Sequence, residues 1–322
     1  MSDSPNPILR GLHDAFYDWT REMPSGRRVL VWAGILIQGY AIYAGFSRSL
    51  IWPLIWPSAP FLLVSVWLLY VLGGTLINAM LTWELKRKTQ LEADQTAARQ
   101  IQQTLQPGKL EPIPGYEVET FYQPFRDVGG DYFDVIDLPA GRTLFALADV
   151  SGKGMPAALL SANIQALVRT IATTTADPLS LARQINHHLS RYTPSDRYAT
   201  AVFLILSRES GEVAYVNAGH NPPLIFADAL ATSLDACGVP LGLFRGAVYA
   251  TGSACVPPGG ALLLYTDGLT DAIAGDHPED RLREVLAGPP SGIMPHLKAL
   301  IQPRMNEDDV TILLIRRSGD HL

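Results

Sequence analysis

Residues 261–272 read ALLLYTDGLTDA, five unbroken apolar or aromatic positions that run straight into Thr266-Asp267-Gly268. A short apolar run closed by Asp-Gly predicts a buried strand and then a turn. Three other stretches have the same grammar. In LFALADVSGKG (144–154) a strand ends at Asp149, and in MNEDDVTILLI (305–315) a strand starts at Asp308-Asp309. In VGGDYFDV (128–135) Asp131 stands between a Gly-Gly turn and a strand. Strand ends of one sheet are neighbours in space, so these carboxylates can meet at a single edge.

Clustered bare carboxylates repel one another, and burying them uncompensated is costly. A hard divalent cation resolves the conflict. An oxygen-only ligand set suits Mg²⁺ or Mn²⁺. Two such ions, about 3.5–4 Å apart, can clamp a phosphoryl group. Each motif also has a plainer reading. Asp before Gly is a common turn, and DVSGKG could simply cap a helix starting at Met155-Pro156. Its glycines lack the spacing of a nucleotide-binding P-loop. The conjunction of all four motifs carries the inference.

Composition narrows the class. The 322 residues carry 25 basic and 31 acidic side chains, with no clustered basic surface that would point to nucleic acid. Two cysteines, Cys237 and Cys255, make neither a disulfide framework nor a CxxC metal site, and they suit a reducing compartment.

Two uncharged apolar stretches, Val29 to Phe46 and Ala59 to Thr82, approach or exceed the ~20 residues that cross a bilayer. Arg21, Arg27 and Arg28 precede the first and Lys86, Arg87 and Lys88 follow the second, with only Arg48 between them. That bias predicts a multi-pass protein of the bacterial cytoplasmic membrane, with both ends and the catalytic domain in the cytoplasm. Trp52, Trp56 and Trp83 fall near the expected interfaces. The expected layout is a cytoplasmic tail (1–28), two transmembrane helices with a short loop (29–83), a linker helix (84–106) and a catalytic domain (107–322). Leu91, Ala98 and Leu105 form a short heptad seam with Ile101, spoiled by Asp94. The linker is either a solvated single helix or a weak coiled coil that makes a homodimer.

Beyond Pro107, β-rich runs are expected at 116–122, 132–138, 143–150, 200–207, 212–218, 247–255, 261–266 and 309–316. Helical patterns are expected at 155–175, 178–191, 280–287 and 293–303. Strands and helices come in blocks, which predicts an α+β sandwich of antiparallel sheets covered by helices.

The stretch from Ala97 to Arg316 resembles the SpoIIE/RsbU-like branch of the metal-dependent (type 2C, PPM) protein phosphatases. The resemblance rests on IQQTLQP, VGGDYFDV, ADVSGKGMPAALLSA, ATAVFLIL, VAYVNAGHNPPLI, GVPLGL, LLLYTDGLTDA and EDDVTILLI in that order. It implies a four-layer α-β-β-α sandwich with a binuclear Mn²⁺ or Mg²⁺ centre between the sheets. Under it, Asp131, Asp149, the Val150 carbonyl, Asp267 and Asp308 look like ligands, Asp149 bridging, and Asp309 is expected to assist a third, more loosely held ion. It also implies a metal-activated water as nucleophile and a phosphoserine or phosphothreonine substrate on a small protein, a STAS-like anti-anti-sigma factor in partner switching.

Arg126 and Lys153 are candidates for binding the substrate phosphate, with surface solvation the alternative for both. His220 could act on the leaving group or stabilise its turn. Relatives carry Phe-Gly after the segment ending at Asp271-Ala272, whereas here AGDHPEDRLREVL (274–286) has none, which puts specificity in question. A catalytically inactive scaffold of the same fold is the alternative function, disfavoured because every expected ligand position is Asp. A cyclic-dinucleotide synthase reading of GGDYF fails because Tyr132 replaces the required Glu.

Overall fold

The computed structural model describes residues 32, 35, 36, 38–40, 43, 59–108, 110–125, 128–194, 196–227, 230–273, 278–286, 288, 292–301 and 308–319. They fall into two compact units, Met1–Ala93 and Asp94–Leu322. The expected tail (1–28), the loop with Trp52 and Trp56, most of the first apolar stretch and Arg126 lie outside the described residues.

Helix α1 runs without a break from Ala59 to Leu105, 47 residues. Within the first unit, Asn78 Nδ2 donates to Gln38 Oε1 at 2.9 Å. Among the described residues no helix is long and apolar enough to cross a membrane. The expectation of two transmembrane helices and a multi-pass membrane location is therefore corrected. The second apolar stretch is continuous, within α1, with the charged ELKRK segment. On the expected linker seam, Leu91 and Ile101 are exposed.

The second unit holds ten strands and five further helices among the described residues. The strands are β1 (Tyr116–Gln123), β2 (Tyr132–Leu138), β3 (Arg142–Val150), β4 (Ala199–Ser207), β5 (Glu212–Ala218), β6 (Leu224–Ala227), β7 (Leu230–Ser233), β8 (Gly252–Cys255), β9 (Ala261–Tyr265) and β10 (Val310–Arg317). The helices are α2 (Met155–Ala172), α3 (Pro178–Tyr192), α4 (Asp267–Asp271), α5 (Pro278–Leu286) and α6 (Ile293–Leu300). Sheet A has the order β1-β10-β9-β6-β7 and sheet B the order β2-β3-β4-β5-β8. All neighbours in both sheets are antiparallel.

Local chemistry explains the punctuation. The β2–β3 hairpin turns through Ala140 and Gly141 at positive φ (62° and 68°). Helix α3 starts at Asp177, whose carboxylate accepts from Leu179 N and Ser180 N, with Pro178 in the first turn. Helix α2 starts after Gly154, also with proline in its first turn but no side-chain cap.

The strands read as continuous apolar runs because both faces of each sheet are covered. Leu144, Ala146 and Ala148 of β3 pack with Ile164, Val168, Leu181 and Ile185 of α2 and α3. Their neighbours Phe145 and Leu147 pack between the sheets with Leu204, Leu262, Leu264 and Leu313. Leu263, Ile312 and Leu314 meet α4, α5 and α6 through Leu269, Leu282 and Leu297. The result is a helix-sheet-sheet-helix stack with three apolar seams, and strand alternation decides which seam each side chain enters.

Phe145 is fully buried in the seam between the sheets. Phe145→Ala is expected to lower the unfolding free energy by about 3–5 kcal/mol. Phe244→Ala, at an exposed ring, should change it by no more than about 0.5 kcal/mol. Urea denaturation of both variants checks the contrast.

Candidate metal and phosphate site

The inward-facing rows change character at one end of the sandwich. On β3 the row is Phe145, Leu147, then Asp149. On β4 it runs back through Leu204 and Val202 to Thr200, which pairs with Asp149. On β9 it is Leu262, Leu264, then Thr266, and on β10 it runs back through Ile315 and Leu313 to Thr311 and Asp309. Before β2, Asp131 precedes Phe133 with the same parity. The period-2 alternation that builds the central core therefore delivers three carboxylates and three hydroxyls to its edge. Asp267 and Asp308 stand beside this row, at the start of α4 and just before β10.

Asp131 is 3 % exposed. Its Oδ2 accepts from Thr266 Oγ1 at 2.9 Å and Thr311 Oγ1 at 2.5 Å. Its backbone carbonyl accepts from Ser161 Oγ of α2 at 3.3 Å. Burial, followed by the charges of Asp149 and Asp309, pushes its carboxyl well above the usual range, against the two threonine hydrogen bonds.

Asp309 is held by the backbone. Its Oδ1 accepts from Phe125 N at 2.8 Å, and its Oδ2 accepts from Gly130 N at 2.5 Å and stands 3.4 Å from Asp131 N. Both oxygens are thus committed to fixing the Gly-Gly turn, and only glycine fits at 129, where a Cβ would meet Asp309 Oδ2. Gly268 is required for a similar reason: a Cβ there would collide with the Asp309 carbonyl. Gln102, near the C-terminal end of α1, grips the same turn from the other side. Its Oε1 accepts from Gly129 N at 3.1 Å and its Nε2 donates to Gly129 O at 2.6 Å.

Asp149 has a different environment. Among the described residues its carboxylate accepts no hydrogen bond. Burial first, then the charges of Asp267, Asp308 and Asp309, raise its carboxyl to about 7, with Lys153 opposing. Asp267 is also raised, by burial and then by Asp271 and Asp308. Asp308 Oδ2 lies 3.2 Å from Lys153 Nζ, and its Oδ1 accepts from Asp309 N at 2.9 Å. Lys153 Nζ also sits 5.3 Å from the centre of the Phe125 ring. The Val150 carbonyl faces Gly130, where a Cβ would come within 3.1 Å of it. The Gly130 N–H that could have paired with that carbonyl is directed at Asp309 instead.

His220 is 5 % exposed, and its Nδ1 lies 2.8 Å from Thr200 Oγ1. Burial pulls its pKa down to about 4, opposed by the Tyr265 backbone carbonyl, so the ring is neutral at physiological pH. Its backbone N–H donates to Asn217 Oδ1 at 2.8 Å and its carbonyl accepts from Asn217 Nδ2 at 3.1 Å. This placement ties a turn between the two sheets. Arg126 lies outside the described residues.

The donor set fits hard divalent cations. Asp149, Asp267 and Asp308 are oxygen donors whose mutual repulsion has Lys153 as its one countering cation in the causes acting on Asp149. Asp131 joins them electrostatically through Asp149. The shell is not closed: among the described residues, no three His, Cys, Asp or Glu side chains have ready metal-holding spacing. Asp308 is turned toward Lys153, and Asp131 and Asp309 toward hydroxyls and amides.

Sequence reading missed Thr266, Thr311, Thr200, Gln102 and Arg197. Arg197 Nη1 donates to the Ser151 carbonyl at 3.1 Å and packs on Gly152, bracing the loop after Asp149. A usable signal existed for one of them: Thr311 is a lone hydroxyl inside the apolar run VTILLI.

A carboxyl raised from 3.8 to about 7 binds its proton more tightly in the folded state. Its ionisation therefore costs stability as pH rises through this window, and the cost is complete above the folded value. In EDTA, Asp149→Asn should be more stable than the parent chain at pH 8. That advantage should shrink at pH 5, as read from paired urea denaturation curves.

Comparison with known proteins agrees with this architecture. Residues 139–318, more than half of the chain, match the family model described as Stage II sporulation protein E (SpoIIE). The phosphoserine phosphatase RsbP of Bacillus subtilis (strain 168) is 27 % identical over 219 residues, covering 63 % of this chain and 52 % of RsbP. The chain thus spans about half the length of that curated relative. The structure of the RsbU and RsbW domains of a Mycobacterium tuberculosis protein is 27 % identical, with a TM-score of 0.57 over 64 % of this chain and 62 % of that one. RsbX, solved in complex with magnesium, shares the fold at 22 % identity and a TM-score of 0.54, over 65 % of this chain and 99 % of RsbX. The chain belongs to the SpoIIE family.

Proposed function

We propose that the chain is a metal-dependent serine/threonine protein phosphatase that removes phosphate from a small regulatory phosphoprotein. The observation that carries this reading is the convergence of Asp149, Asp267 and Asp308 on one end of the sandwich, with the Asp149 carboxyl raised to about 7 by burial and by its acidic neighbours. Family membership and the phosphoserine phosphatase activity in the name of RsbP support it. The catalytic unit is the 107–322 segment, with 84–106 as its linker and a candidate homodimer contact.

Asp131, Asp149, the Val150 carbonyl, Asp267 and Asp308 would hold two Mg²⁺ or Mn²⁺ ions, and RsbX with magnesium gives a precedent for the ion on this fold. Bound there, such ions neutralise phosphoryl charge and lower the pKa of water. The protein's own groups do the rest. Lys153, on the loop after β3 and 3.2 Å from Asp308 Oδ2, would present its ammonium to a substrate phosphate oxygen. Asp309 holds the Gly-Gly turn and so fixes the backbone of Asp131. His220, neutral and buried, sets the turn beside Thr200. The substrate class, a phosphorylated STAS-like anti-anti-sigma factor, follows from the resemblance to partner-switching phosphatases.

Phosphate release from a phosphoserine peptide and from a phosphorylated STAS-domain protein, with Mn²⁺ or Mg²⁺, tests the reading. Asp149→Asn and Asp267→Asn should each lower turnover by more than about 100-fold, beyond the loss typical of residues outside the metal shell. EDTA should abolish activity and added Mn²⁺ restore it. A folded chain that binds Mn²⁺ yet releases no phosphate from either substrate would favour the inactive scaffold.

A further inference from the structure

Thr266 and Thr311 sit where the polar edge meets the apolar core, and both are fully buried at 0 % exposure. Thr266 directly follows β9 and Thr311 lies on the adjacent β10 of sheet A, whereas Asp131 leads into sheet B. Thr266 N–H donates to the Thr311 carbonyl at 3.1 Å. Thr311 N–H donates to Thr266 Oγ1 at 3.0 Å, so the hydroxyl oxygen extends the β9–β10 ladder by one rung. The Thr266 hydroxyl lies 2.9 Å from Asp131 Oδ2 and 3.3 Å from the Asp309 carbonyl, so the shorter contact takes its proton, and the Thr311 proton is directed at the same Asp131 oxygen. Among the described residues, Asp131 Oδ1 accepts no hydrogen bond.

We propose that Thr266 and Thr311 are positioning residues for Asp131. Their hydroxyls lock one carboxylate oxygen and present the other to a divalent cation. The inference rests on the reading of Asp131 as a metal ligand. Two donors converging on one oxygen fix both the rotation of the carboxylate and its distance from sheet A, and hydrogen bonds to an ionised acceptor are the stronger kind. Partners that orient a ligand in this way are commonly worth about 10–100-fold in metal affinity. The alternative is mere satisfaction of two buried hydroxyls, which would affect folding stability and leave metal affinity alone.

Mn²⁺ affinity of the full chain, read from the electron paramagnetic resonance signal of free Mn²⁺, separates these cases, with thermal melting by circular dichroism in parallel. Thr311→Val keeps the branched shape on β10 and removes the donor. It should weaken Mn²⁺ binding by about 10–100-fold, and Thr311→Ser should restore the parent affinity. Thr311→Ala serves as the second variant if valine does not fold, with the same expected loss. Asp131→Asn is the control. If it binds Mn²⁺ like the parent chain, Asp131 is no ligand and the underlying reading fails, taking the proposal with it. If Asp131→Asn loses affinity while the folded Thr311 variant keeps it, only the positioning role is overturned, even where its melting temperature falls.

Discussion

Two hydrogen bonds to one oxygen, from Thr266 and Thr311 to Asp131 Oδ2, join the sheets at the end where the apolar seam runs out. Everything else at that end is arranged around this junction. Asp309 fixes the turn ahead of Asp131 through backbone amides, Ser161 fixes its carbonyl, and Gln102 grips the preceding glycine. The carboxylate of Asp131 is held in place by sheet A although its backbone leads into sheet B.

The acidic groups divide into two sets by how their charge is compensated. Asp131 and Asp309 are buried and hydrogen-bonded, and burial still raises both carboxyls against those hydrogen bonds. Asp149 has no such partner among the described residues and bears the repulsion of its neighbours, so it is raised to about 7. A perturbed carboxyl at the edge of a rigid core is a signature of function more than of stability. The apolar seams maintain the arrangement: fixed register on β3, β4, β9 and β10 keeps each acidic or hydroxyl side chain on the inner face.

Much of this could be read from the chain alone. The long, fully covered strands were legible because both of their faces are apolar, and the acidic residues at their ends stood out by contrast. The four-residue strands β6 and β7 escaped notice, being too short to show a period. The 247–255 run shortens to 252–255. The segment read as a turn at Asp267-Gly268 is a five-residue helix. The two apolar stretches near the N-terminus were read as membrane spans from their lack of charge, but no described helix is long and apolar enough to cross. The threonine partners were invisible for a different reason. They lie 135 and 180 residues from Asp131 in the chain, so even the lone hydroxyl of Thr311 in its apolar run does not show which carboxylate it serves.

The central claim is that Asp131, Asp149, Asp267 and Asp308 share divalent cations at one end of this core. Anomalous X-ray scattering from crystals grown with Mn²⁺ addresses it directly. The account predicts two peaks, each about 2.0–2.3 Å from oxygens of these aspartates and within reach of the Val150 carbonyl. Manganese peaks confined to other surfaces, with these four side chains still turned to their protein partners, would contradict it.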